Sequence, residues 1–199
     1  MKNVVTTLYN VAALMAVITL GSRTAQAIPL VFDCVGGGKS VNCSVGEAQF
    51  AVEIVEFAPD QVTFIFSNEG PSPSAIARIY IADERGTLAG LPEIHQDAPG
   101  VIFRNGVRPR NLPGGAGLDP AFGASAELSV MAMNPGRKRG VNPGEHVGLV
   151  YPLSPGNTFA DVLADLSIGN LRFGLQVVGF ASTGNESFVS ELLLTESLE

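Results

Sequence analysis

The sequence predicts a mainly β protein, a single antiparallel β-sandwich of jelly-roll type with one short helix near residues 159–167. Three observations carry that expectation. Apolar residues alternate with polar ones at period two in several short runs, the mark of strands with one buried face. Glycine and proline, 23 and 13 residues, fall with Asn and Asp between those runs and punctuate them. One stretch alone places its apolar residues at i, i+3, i+4 and i+7: Phe159, Val162, Leu163 and Leu166.

The chain opens with Lys2, an apolar run from Val11 to Leu20, and Ala25-Gln-Ala27. A basic start, a short apolar core and an A-x-A site are the parts of an export signal. The run is shorter than the roughly 20 residues of a membrane span. Residues 1–27 are therefore expected to be a signal peptide cleaved after Ala27. Residues 28–199 are expected to form one secreted domain with no membrane span. Cleavage takes two of the 12 basic residues, Lys2 and Arg23, and no acid, leaving ten basic against 19 acidic side chains. A net charge of −9 repels phosphate and excludes a general nucleic-acid binder.

The two cysteines, Cys34 and Cys43, are expected to pair, because an exported chain meets an oxidising compartment. Two thiols with no neighbouring histidine are too few donors for a metal site. No metal and no cofactor is expected.

In chain order, Ile28 to Val35 reads as a first strand and Val35 to Asn42 as a Gly-rich turn. Lys39-Ser40 follows three glycines but lacks the upstream glycine of a phosphate loop, where Asp33 stands. Glu47 to Phe57 and Val62 to Phe66 alternate around Ala58-Pro-Asp-Gln61 and form the clearest hairpin. Glu53, Glu56 and Asp60 fall on its wet side and read as solvated acids, not as a calcium cluster. Ser74 to Ala82 is a strand; Leu88 to Leu91, Ile94 and Val101 to Arg104 are short returns. Asn105 to Phe122 is a long irregular loop. Ala126 to Met133 is a strand, Asn134 to Gly144 a second long loop, and Gly148 to Leu153 a strand. Thr158 and Asp161 are placed to cap the helix and Gly169 to end it. Leu171 to Ala181 and Phe188 to Leu194 are the last strands, joined by Thr183-Gly-Asn-Glu186.

No catalytic set emerges. His95 and His146 are far apart in the sequence and lack further metal donors. No G-x-S-x-G elbow is present. The chain has no tryptophan and three tyrosines, few platforms for a sugar-processing cleft, and it is read as not an enzyme. Asn42-Cys-Ser44 and Asn185-Glu-Ser187 fit the glycosylation sequon. Six of the ten remaining basic residues lie in or directly beside the two long loops: Arg104, Arg108 and Arg110, then Arg137, Lys138 and Arg139. That clustering on an acidic chain is the best binding signal in the sequence, suited to an anionic polysaccharide.

Several stretches together resemble the extracellular domain of bacterial PEP-CTERM proteins. They are Asn142-Pro-Gly-Glu145, Thr158-Phe-Ala-Asp-Val-Leu163, Gly169-Asn-Leu-Arg-Phe-Gly174 and Val178-Gly-Phe-Ala-Ser-Thr-Gly-Asn-Glu-Ser-Phe188. Phe66-Ser-Asn-Glu-Gly-Pro71 and Asn111-Leu-Pro-Gly-Gly115 are also similar to that group. The resemblance implies an exported, all-β protein of the bacterial cell surface or exopolysaccharide matrix, and it carries over no catalytic residue. The sequence ends in Leu192-Leu-Leu-Thr-Glu-Ser-Leu-Glu199, without the Pro-Glu-Pro, apolar span and basic tail of that group's sorting signal. The expected function is thus a non-enzymatic protein of the cell surface or extracellular matrix. The alternative is a lectin-like carbohydrate-binding module using loops 105–122 and 134–144.

Overall fold

The structure is a computed structural model that describes residues 30–36 and 40–192. The expected signal peptide, the start of the first strand at Ile28, the Gly37–Lys39 part of the turn and the end of the last strand at Leu194 lie outside the described residues.

Among the described residues the protein is mainly β, with ten antiparallel strands in one nearly closed sheet and three α-helices. The strands are β1 (Leu30–Cys34), β2 (Phe50–Ala58), β3 (Gln61–Asn68), β4 (Ala75–Asp83) and β5 (Glu93–His95). They continue as β6 (Phe103–Asn105), β7 (Val130–Ala132), β8 (Glu145–Pro152), β9 (Leu171–Val178) and β10 (Asn185–Leu192). The helices are α1 (Val41–Gln49), α2 (Gly136–Arg139) and α3 (Phe159–Ser167).

The spatial order is β5-β8-β3-β2-β1-β10-β9-β4-β7-β6. Its edges, β5 and β6, are close in sequence and touch through side chains. Gln96 Oε1 accepts from Phe103 N at 2.7 Å, and Pro92 O accepts from Asn105 Nδ2 at 3.4 Å. The sheet curls so that β3 faces β9 across the interior: the Phe64 and Phe173 rings are 4.8 Å apart and those of Phe66 and Phe173 5.3 Å. Edge-on and tilted aromatic pairs of this kind suit the ring quadrupoles. Each fully buried Phe of this core contributes roughly 1.5–3 kcal/mol relative to exposure.

The hairpin β2–β3 sits where alternation placed it, with Val52 opposite Phe66 and Ile54 opposite Phe64, all buried. α3 forms as its stripe and cap predict. The Asp161 carboxylate accepts from Thr158 N at 2.8 Å and from Thr158 Oγ1 at 2.7 Å. Val162 and Leu166 are buried against the core, and Gly169 ends the helix at φ 76°.

Several stretches differ from expectation. Leu88 to Leu91, read as a short return, pairs only through the isolated bridge of Leu88 to Leu153, and β10 begins at Asn185, inside the expected turn, rather than at Phe188. Residues 41–49, read as turn and then the start of a strand, are the helix α1. Ser40 caps it, its side chain accepting from Cys43 N at 3.1 Å. The expected strand from Ala126 to Met133 is cut to Val130–Ala132, because Leu128 N and Ser129 N turn back to Ser125 O. The loop 134–144 carries α2, which lies against the start of β4. The two cysteines stand at disulfide distance, 5.3 Å between Cα atoms, and their expected pairing is met.

Candidate functional site

Opposed residues on adjacent strands share a face, so register fixes what lines the outer side of the sheet. Arg104 opposes Met131, Met131 opposes Arg78, Arg78 opposes Gln176, and Gln176 opposes Ser187. The next row holds Tyr80, Gly174 and Val189, and the one after it Ala82 and Arg172. An outer face of this kind is normally wet. Here Tyr80, Ala82, Met131 and Val189 are buried in a second, smaller core with Val107, Leu112 and Phe122.

The long irregular segment after β6 covers it. Residues 106–124 cross β7, β4 and β9 as a strap, not as a free loop. Gly174 lets the strap approach: a Cβ there would lie 3.0 Å from Leu112 Cδ2 and 3.1 Å from Phe122 Cζ. Proline-rich backbone cannot complete a hydrogen-bond ladder, and sheet side chains satisfy its carbonyls instead. Arg78 Nε donates to Arg108 O at 2.6 Å, and Tyr80 OH to Pro109 O at 3.3 Å. Arg172 donates to Pro120 O at 3.0 Å and to Ala121 O at 2.6 Å, with its guanidinium 5.4 Å from the Phe122 ring centroid. Bonds from charged donors are each worth about 1.5–3 kcal/mol. Burial pushes the Tyr80 phenol up to about 12, against the opposing effect of the Arg78 charge.

Where the strap leaves β6 it opens a cleft of about 450 Å³. Arg104, Arg108 and Arg110 line it together, with Leu91 at the lip and Glu127 as the acidic member. All three arginine side chains are exposed. The second basic segment is a neighbour by backbone, since Ile102 N donates to Arg139 O at 2.9 Å and Met133 N to Ile102 O at 2.8 Å. Its side chains do not line the same cleft. Arg137 lies over Gly179 in the turn between β9 and β10, and Lys138 and Arg139 are exposed on α2. The six basic residues therefore form one arginine cleft and one adjoining basic turn.

Other sequence signals resolve into structure. His95 sits on β5, 3.1 Å from Glu93, and His146 is on β8 opposite Ser67. Asn42, the acceptor of one sequon, is buried and donates to Thr183 O at 2.9 Å. Glu53, Glu56 and Asp60 are exposed. A second cleft, about 380 Å³, lies between the strap, the end of α3 and β10. On its rim burial, together with the neighbouring Asp33 carboxylate, raises the Glu191 carboxyl above its ordinary value.

Sequence reasoning missed Arg78, Tyr80 and Arg172 as the residues that place the candidate site. Their only trace in the sequence is that β4 and β9 carry large side chains on both faces. No family model, curated relative or solved structure matches the chain.

Proposed function

We propose that the protein is an exported, non-enzymatic domain of the cell surface or extracellular matrix, and that it holds an anionic polysaccharide in the Arg104–Arg108–Arg110 cleft. The observation that carries the binding reading is the convergence of three exposed arginines in one cleft of a markedly acidic chain. Guanidinium groups pair bidentately with carboxylate or sulfate, and the exposed Leu91 offers an apolar contact for a sugar ring. Export is supported by the pattern of the first 27 residues, and the matrix setting by the resemblance to PEP-CTERM proteins. We read the sheet as a single flattened barrel rather than two separable layers, a reading supported by the side-chain bonds that join its edges.

Calorimetry against a polyuronate, with a neutral polysaccharide as control, tests the binding. Arg104, Arg108 and Arg110 changed together to Gln should lower affinity at least tenfold, or about 1.4 kcal/mol. The strap stays anchored, because Arg78 holds the backbone carbonyl of Arg108 and not its side chain. Arg137, Lys138 and Arg139 changed together should matter less. Unchanged affinity in the first variant would refute the site, and no binding to any acidic glycan would refute the ligand class.

A further inference from the structure

We propose that reduction of the Cys34–Cys43 pair opens a divalent-metal site, formed by the two thiolates with the carboxylate of Glu186 and suited to Zn²⁺, with a fourth position left to solvent. In the sequence the cysteines have no histidine nearby. The fold supplies a third donor, since both sulfurs and a carboxylate oxygen of Glu186 lie within 4.8 Å of one another.

Register explains the convergence. Cys34 on β1 opposes Phe188 on β10, and Glu186 two residues away on β10 shares that face. Helix α1 crosses the same face, with Gly46 against the Phe188 ring. That crossing sets Cys43 beside Cys34, while Glu47, four residues further along α1, turns its carboxylate to the β1 backbone. Glu47 Oε1 reaches Cys34 N at 3.3 Å. The Ser40 hydroxyl donates to Glu186 Oε1 at 3.2 Å and fixes that carboxylate. An orienting partner of this kind is the usual support for a metal ligand.

The spacing suits the ion. With metal–sulfur distances of about 2.3 Å and metal–oxygen distances of about 2.0 Å, donors around a tetrahedral Zn²⁺ stand roughly 3.5–3.8 Å apart. Thiolate with carboxylate is a borderline-soft donor set, which favours Zn²⁺ over Mg²⁺ or Ca²⁺. Cys34 and Cys43 are nearly buried, at 9% and 2% exposure. Two thiolates and the Glu186 carboxylate in such a corner repel one another, and a dication offsets that repulsion.

Oxidation state gates the site. The S–S bond is broken by two electrons and two protons from a dithiol, which leaves as its own disulfide and gives two thiols. Zn²⁺ then displaces the two thiol protons to solvent. The oxidised pair has no thiolate to offer.

The purified full chain, with and without a phosphine reductant, is titrated with Co²⁺ and then Zn²⁺ and followed by absorbance. The phosphine takes oxygen from water as it reduces the disulfide and leaves no competing thiol. The expected result is one Co²⁺ per reduced chain, with a thiolate-to-cobalt charge-transfer band that Zn²⁺ removes, and no such band in the oxidised chain. Glu186→Gln, which leaves the disulfide intact, should weaken binding to the reduced chain roughly tenfold or more. Absence of a stoichiometric band in the reduced chain would overturn the proposal. So would an affinity unaffected by E186Q, since that is the behaviour of two thiols on an unfolded segment.

Discussion

Helices α1 and α3 have nine residues each, and they form for opposite reasons. α3 carries its own instructions. Its apolar stripe, the Thr158–Asp161 cap and Gly169 are all local, and each would favour a helix before any tertiary contact forms. α1 has almost none of these. Val41-Asn-Cys-Ser-Val-Gly-Glu-Ala-Gln49 mixes β-branched, polar and glycine residues that rank low as helix formers, and it has no clean apolar face. What holds it is the Cys34 link, the Ser40 cap and the seat of Gly46 on Phe188. Comparable helices can thus be imposed by the fold or proposed by the sequence, and only the second kind is visible beforehand.

The sharpest way to break this comparison is Gly46→Ala. In a helix governed by propensity it should stabilise by about 1 kcal/mol. Here the new methyl would land on the Phe188 ring, and overpacking should destabilise by about 3 kcal/mol. Urea unfolding reads the sign directly, and a stabilised variant would mean that α1 is as local as α3.

Removing the covalent tie comes next. Cys34→Ser with Cys43→Ser opens a loop of about 10 residues and should cost about 2.7 kcal/mol in the chain-entropy model. Amide exchange should show protection lost along α1 and kept along α3. Equal loss in both would erase the distinction.

The smallest effects belong to α3. Thr158→Ala should cost about 1 kcal/mol and be felt mainly in that helix. The Thr158 hydroxyl, then its backbone N–H, hold the Asp161 carboxyl below its ordinary 3.8. A folded value depressed in this way gives stability that is present above the unfolded value and lost as pH falls through the folded one. Asp161→Asn should therefore flatten the acid limb of the stability profile below about pH 4 and leave the profile of α1 unchanged. A limb of unchanged slope would assign it to other carboxylates.

The same division runs through the candidate site. Arg104, Arg108, Arg110, Arg137, Lys138 and Arg139 stand out in the sequence because like charges cluster against an acidic background. Their sorting into a cleft and a separate turn does not. It depends on which way the strap folds over β4 and β9, and that is set by Gly174, Tyr80, Arg78 and Arg172, up to 70 positions from the arginines they place. No window of sequence contains such a contact.

By itself the sequence determined what short-range physics determines. Period-two alternation produced the β class and the register of the β2–β3 hairpin, and the stripe with its cap produced α3. The pairing of Cys34 with Cys43, nine positions apart, was legible from their proximity in the chain. The tertiary structure alone decided how the strands close, which stretch covers the outer face, and that residues 41–49 are helical. It also brought Glu186 to the two cysteines. Each of these rests on contacts between residues distant in the chain, whose energies appear only once both partners are in place.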